Sequence, residues 1–173
     1  MIYLCSLKYK ELSKKNIFNI CKLKNEYWQY GLSANLKWFK KNIKKNDIHN
    51  LLFLNQKLIG YTLLRKRIAF AKYKQITKKI NYLYFDTLII KKNFRKCNYG
   101  KILMDFNSNI IIRQKLHSFL ICHYRTINYY KKFHWVSLNK KEFKLIDHKS
   151  SLTGMVFNCE AKLRKNKFLY YIH

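Results

Sequence analysis

Between Lys91 and Lys101 the chain carries Lys91, Lys92, Arg95, Lys96 and Lys101, with one glycine, Gly100, near the end. Five cations in eleven residues suit an anion. The flanking pattern says how they would be held. Leu88, Ile89 and Ile90 form a continuous apolar run, as in a strand buried on both faces. From Gly100 the period turns helical, with Ile102, Leu103, Phe106 and Ile110 on one stripe. Strand, basic loop and helix start, in that order, aim several backbone N–H groups and the positive end of a helix dipole at one spot. The same pattern also fits an ordinary strand-to-helix connection with solvated lysines, common in α/β domains. Two groups suited to proton transfer lie in or near this stretch. Asp86 is the carboxylate inside the strand and shares the face of Ile90 at period two. His123, at the end of the next apolar run, has an ordinary pKa suited to neutral pH.

The elements around these residues carry a resemblance. Arg95-Lys96-Cys97-Asn98-Tyr99-Gly100 resembles the Arg/Gln-x-x-Gly-x-Gly/Ala loop of the GNAT superfamily, the acyl-CoA-dependent N-acyltransferases. A second block agrees with it. Phe119–Cys122 reads as the next strand, and residues 128–135, Asn-Tyr-Tyr-Lys-Lys-Phe-His-Trp, resemble the family's helix ending Asn-x-Tyr-x-Lys-x-Gly-Phe. One helix and one strand separate the blocks, as in the family. The resemblance is strong over residues 80–140 and compatible over the first half.

The resemblance implies an α/β (α+β) fold in one domain over residues 1–173. Its sheet would be mixed and mostly antiparallel, with six to seven strands flanked by about four helices. It implies acetyl-CoA as the cosubstrate and, as the acceptor, a primary amine on a small molecule, an amino sugar or a protein N-terminus. Leu88, Ile89 and Ile90 would offer backbone groups to the pantetheine arm. The loop Arg95, Lys96, Cys97, Asn98, Tyr99 and Gly100 would wrap the pyrophosphate, aided by Lys101 from the first helical turn. Asn128 would orient its helix or touch the cofactor. Tyr130 matches the family tyrosine that protonates the leaving thiolate; a phenol with a pKa of ~10 is able to donate at neutral pH. Tyr129 would pack into the core. Asp86 looks like the acidic residue with which polyamine-type members accept the amine's proton, directly or through water. It fits a hydrogen-bonded structural carboxylate equally well. His123 is the rival base, and some family members need none. Three positions depart from the pattern: Asn98 replaces the first family glycine, Lys96 stands where glycine is frequent, and His134 replaces the glycine after the helix. Asn is the residue other than glycine most at ease at positive φ, so the turn at Asn98 is expected to survive.

Composition sets the wider bounds. A chain of 173 residues with 49% apolar residues can bury a core without staples. Lysines number 31 against 6 arginines, the net charge is +29, and Pro is absent. Lys, Asn, Ile and Tyr are enriched together, as AT-rich coding produces, so much of the charge reads as a solvated basic surface. It will still attract polyanions. The 29 aromatics with the lysines also suit a single-stranded nucleic acid, but they fall mostly at core spacing and no nucleic-acid motif is present. Nucleic acid is therefore expected to bind only nonspecifically. A third reading is a degenerate GNAT fold that has lost its cofactor and acts as a scaffold. Five cysteines without metal-ligand spacing predict reduced thiols and a cytoplasmic protein, with Cys5, Cys21 and Cys122 in the core and no metal site. No apolar run reaches 18 residues, so no membrane span is expected. A monomer or homodimer is consistent with this composition.

Along the chain, Ile2–Leu7 predicts the first strand and Glu11–Tyr30 a helix stopped by Gly31. Ser33 is expected to cap a second helix. The aromatics Trp28, Tyr30 and Trp38 belong either to the core or to the wall of an acceptor site. Leu51–Leu54 and Leu58–Leu64 flank a short polar break and predict a hairpin, with Gly60 at a bulge or close contact. A basic connection runs from Arg65 to Lys79, then a strand from Ile80 to Ile90. Gly100–Lys115 and Asn128–Phe133 predict helices. His117–His123, Trp135–Leu138, Phe143–Asp147 and Leu152–Cys159 predict strands. The tail from Lys162 to His173 is a final strand, a partner contact or unstructured.

Overall fold

The computed structural model describes residues 1–73, 75–146, 152–160 and 167–172. Strand β1 (Ile2–Lys8) leads to helices α1 (Lys14–Tyr27) and α2 (Leu32–Asn42), then β2 (Ile48–Leu54) and the long strands β3 (Lys57–Tyr73) and β4 (Ile76–Ile90). Helix α3 (Tyr99–Arg113), β5 (Ser118–Cys122), α4 (Ile127–Lys131), β6 (Val136–Ser137), β7 (Phe143–Leu145), β8 (Thr153–Phe157) and β9 (Lys167–Tyr170) follow. The sheet order is β1-β2-β3-β4-β5-β8-β6, with β9 on β3 and β7 on β9. Among the described residues this makes nine strands and four α-helices, a mixed and mostly antiparallel arrangement. The strands beyond the expected six or seven are short. Residues 162–166 of the tail, His173 and Asp147 at the end of the expected β7 lie outside the described residues.

The chain divides into two compact units. The first comprises Met1–Arg65 and Asp86–Asn107, the second Lys66–Phe85 and Ser108–His173. In the first unit, Ser13 caps α1 by accepting from the Asn16 N–H at 3.0 Å. α1 and α2 bury Ile20, Cys21, Leu23 and Phe39 with Leu51, Tyr61 and Leu63 of the strands. Asn55 and Gln56 turn the β2–β3 hairpin, both at positive φ (45° and 63°), as a two-residue turn between right-twisted strands requires. The register slips between Leu52 and Phe53, opposite Gly60 and Leu58. Gly60 also sits where a Cβ would come within 2.9 Å of Ile90 Cδ1, so it serves both the bulge and the close contact. In the second unit β5 pairs in parallel with β4 only at Leu83–Ser118 and Tyr84–Phe119. Tyr82, Tyr84, Phe119, Phe143, Phe168 and Tyr170 form its core with Val156.

Three local expectations are corrected. The stretch from Arg65 to Lys79 is not a connection: β3 continues to Tyr73 and β4 begins at Ile76, with Lys74 outside the described residues. Ser33 does not cap α2. Gly31 occupies the N-cap at φ 87°, a conformation open to glycine, and the helix starts at Leu32. In α3 the buried stripe is Leu103, Met104, Asn107 and Ile111, rotated from the expected one, because Asn107 is drawn inward to accept from Asn50 Nδ2 (2.9 Å) and Thr62 Oγ1 (3.0 Å).

Each core also buries a histidine. His49 stacks between Phe39 and Tyr61, with Nδ1 2.8 Å from the Tyr61 hydroxyl. Burial, aided by the charge of Lys24, lowers its pKa from 6.5 to about 3. His117 stacks on Tyr82 at 5.7 Å, and burial lowers its pKa to about 4. Both rings stay neutral in the folded chain while the unfolded chain takes up their protons near pH 6.5. The unfolded state then binds more protons, so stability is full above pH 6.5 and falls as the pH drops toward 4. Urea midpoints should decline already between pH 6.5 and 5, before carboxylates titrate, with each ring contributing up to ~1.4 kcal/mol per pH unit. A midpoint constant over that window would contradict this burial.

Candidate active site

In the first unit β4 ends in Asp86–Ile90, with Thr87 and Ile89 buried and Leu88 and Ile90 half-buried. Lys91 donates its N–H to Ile59 O at 2.8 Å, which fixes where the strand stops. A 3₁₀ turn over Lys92–Phe94 follows. Arg95 then folds back, its Nε donating to Ile90 O at 3.1 Å and its guanidinium 5.7 Å from the Tyr27 ring. This side chain fixes the loop. Lys96 and Asn98 both adopt the left-handed conformation, at φ 64° and 59°. Asn98 O accepts from the Ile102 N–H at 3.1 Å and starts α3. The N–H groups of Tyr99, Gly100 and Lys101 therefore belong to the first helical turn and have no intrahelical acceptor. Phe94 packs edge-on to Tyr99 (6.1 Å) and anchors the loop to the core beneath it. Lys96, Cys97 and Asn98 are exposed. The loop thus turns on two left-handed residues, neither of which is glycine.

The same unit contains a cavity of about 350 Å³ lined by Lys24, Trp28, Tyr30, Ala34, Asn35, Trp38, Asp86 and Thr87. Three aromatics left open between core and acceptor wall therefore line a cavity. Asp86 Oδ2 accepts from Arg65 Nη1 at 3.0 Å. Arg65 also donates Nη2 to Asn42 O at 3.3 Å and lies 5.7 Å from the Trp38 ring. Asn35 donates Nδ2 to Gly31 O (3.0 Å) and Asn25 Oδ1 (3.2 Å). Lys24 is only 7% exposed, with Nζ 3.7 Å from the Trp38 ring centroid and 5.6 Å from Trp28. Burial lowers its pKa, and the Asp86 charge opposes that shift. Lys24, Asn35, Arg65 and Thr87 escaped the sequence reading. Lys24 left a signal: it falls on the apolar stripe of α1 with Ile17, Ile20 and Cys21, where an isolated cation needs a reason.

The second unit holds the remaining expected residues. Tyr130 is half-buried on α4, edge-on to Phe85 at 6.2 Å and 6.2 Å from Trp135. Tyr129 is half-buried against Phe133 (5.2 Å), and Asn128 is exposed. His134 takes φ 62°, so the turn after α4 keeps its left-handed residue without glycine. His123 is exposed, and its Nδ1 accepts from the Arg125 N–H at 3.3 Å, capping a 3₁₀ turn. Asp86, Leu88–Ile90 and Arg95–Lys101 thus fall on consecutive elements of one unit. His123, Asn128 and Tyr130 fall within eight residues of the other. Among the described residues no helix is long and apolar enough to cross a membrane.

No family model and no curated protein sequence matches the chain. Solved structures do. ElaA of Escherichia coli superposes with a TM-score of 0.65 at 15% identity, covering 90% of this chain and 99% of ElaA. The chain has the GNAT fold. An acyl-CoA N-acyltransferase from Pseudomonas aeruginosa gives a TM-score of 0.64 at 10% identity over 90% of this chain and 97% of that one. An aminoglycoside 6'-N-acetyltransferase complexed with coenzyme A gives 0.62 at 10% identity over 88% and 96%.

The loop geometry generates a test. Asn98→Gly removes the cost of a left-handed side chain and should preserve or strengthen coenzyme A binding. Asn98→Val cannot hold φ 59° without strain and should weaken it by ~10-fold or more. Calorimetric titration distinguishes these outcomes. A large loss in Asn98→Gly would make the Asn side chain itself the contact.

Proposed function

We propose that this chain is an N-acyltransferase that moves an acetyl group from acetyl-CoA to a primary amine. The observation that carries this reading is the left-handed pair Lys96 and Asn98 leading into the start of α3. It supports a phosphate-binding turn despite the missing glycines, within a fold shared with a coenzyme A complex. Residues present fit the cosubstrate. The first-turn N–H groups of α3 and the exposed Lys96 hold its phosphates. The backbone of Leu88–Ile90, six residues beyond the last β4–β5 pair at its end, takes the pantetheine arm.

Transfer requires that the amine nitrogen form a bond to the thioester carbonyl carbon as the carbon–sulfur bond breaks. The amine's proton must leave, and the departing thiolate must gain one. Tyr130 supplies the second proton. Asp86, with Oδ2 held by Arg65, takes the first from the cavity side, directly or through water; His123 is the alternative carrier. The cavity between α1, α2 and β4 receives the acceptor, with Trp28, Tyr30 and Trp38 as its aromatic wall.

Titration with acetyl-CoA at two salt concentrations, with a single-stranded oligonucleotide as control, tests the reading. Saturable one-to-one binding that survives added salt supports a formed site. Binding that vanishes with salt and is matched by the oligonucleotide shows a basic surface collecting polyanions and overturns it. Tyr130→Phe should lower turnover by roughly 10²–10⁴-fold with little loss of acetyl-CoA affinity, since only the leaving-group proton is lost. Single-turnover acetylation reads this directly, and an unchanged rate removes Tyr130 from the chemistry.

A further inference from the structure

Lys24 is the unusual charge of this molecule. Most of its 31 lysines can reach water, but Lys24 is 7% exposed and lines the α1–α2–β4 cavity. Its ammonium has aromatic faces beside it and, among the described residues, neither a hydrogen bond nor an ion pair. A desolvated cation of this kind lacks the partner that usually accompanies it. The charges around the cavity do not balance either. Arg65 and Asp86 neutralise each other through their 3.0 Å contact, which leaves Lys24 as one uncompensated positive charge. The second oxygen of Asp86, Oδ1, accepts no hydrogen bond among the described residues. The cavity therefore presents an open cation, an open carboxylate oxygen and an aromatic wall.

We infer that the acceptor is an amine that also carries a carboxylate, a free amino acid, with its carboxylate on Lys24 and its amine toward Asp86. The inference rests on reading this cavity as the acceptor site. The carboxylate is the counter-ion that Lys24 lacks, and the ammonium faces the open oxygen of Asp86. A phosphate dianion without an amine would meet Asp86 with like charge and nothing to offset it. The volume of about 350 Å³ admits an amino acid with a large side chain, which Trp28 and Trp38 would flank. An ammonium paired with a carboxylate in a water-poor site forms a charge-assisted hydrogen bond, stronger than a neutral one.

The test uses matched pairs: L-phenylalanine, L-tyrosine, L-leucine and L-methionine, each against its C-terminal amide. Both members keep the amine and side chain; only the amide lacks the negative charge. Binding is measured by calorimetry and acetyl transfer by thiol release from acetyl-CoA, in the wild-type chain and in Lys24→Met. The wild type should favour at least one acid over its amide by about 10- to 100-fold. In Lys24→Met that ratio should fall to near one. Lys24→Met keeps an unbranched chain of similar length and removes a buried charge, so it is expected to fold; should it not, the acid-to-amide ratio of the wild type decides. Acids that bind in a Lys24-dependent way without acetyl transfer support the carboxylate site and overturn the transferase. Amides acetylated as well as acids overturn the carboxylate site and leave the transferase standing. A panel that neither binds nor reacts overturns the inference.

Discussion

The pair formed by Arg65 and Asp86 is the contact on which the candidate site depends. Arg65 is buried and Asp86 half-buried, and an unpaired guanidinium there would cost roughly 3–5 kcal/mol. The cost is avoided because Arg65 pairs with Asp86 and has further partners of its own. Arg65 spends Nη1 on Asp86 and Nη2 on Asn42 O, and its planar head faces Trp38. One side chain thereby ties β3, β4 and the end of α2 to a single arrangement. The aromatic wall and the carboxylate cannot shift independently. A lysine at position 65 would pair as a point charge and lose this forked geometry.

A second constraint is backbone handedness. Seven described residues other than glycine hold positive φ, while Gly31 is the one glycine that does so among the described residues. Asn55, Gln56, Lys96, Asn98, Lys115, His134 and Asn158 occupy places where a glycine would sit without strain. Three of them are Asn, whose short polar side chain tolerates the left-handed region best. The others pay more, and Lys96 and His134 do so at the two turns that matter for the proposed chemistry. Strain of ~1–2 kcal/mol at such a position persists only when surrounding contacts hold it. At the loop these are the Arg95–Ile90 bond and the Phe94–Tyr99 packing. The left-handed loop is thus maintained by neighbours rather than by the turn residues' own preference.

What was legible in the sequence follows the same physics. The run Leu88–Ile90, the helix after Asn98 and the hairpin at Asn55–Gln56 were readable because apolar period and turn chemistry agree there. The strand from Arg65 to Tyr73 was not. Its inward face alternates as Arg65, Arg67, Ala69 and Ala71, all buried, and two arginines on a core face break the apolar period that marks a strand. The start of α2 was misplaced because Gly31 reads equally as a helix stop and a helix start, and only its φ of 87° decides. The site was partly legible. Asp86, the 95–101 loop and Tyr130 came from type and spacing against a family pattern. Lys24 and Arg65 did not: Lys24 lies on the apolar stripe of α1 but matches no family pattern, and Arg65 opens a basic stretch that reads as a connection.

That distinction governs how the charge of this protein should be weighed. Its +29 is spread mostly over exposed side chains, where water and salt screen each one and any polyanion can compete. Attraction of that kind carries no information about a site. Lys24 differs in kind. It is held among Trp28 and Trp38 beside a neutralised ion pair, away from bulk solvent. Screening there is weak, so its field acts on whatever enters the cavity and is hardly diminished by salt. The exposed lysines bring anions to the protein; this one selects among them. Salt dependence therefore separates the two populations: affinity due to the surface falls steeply with added salt, and affinity due to Lys24 persists.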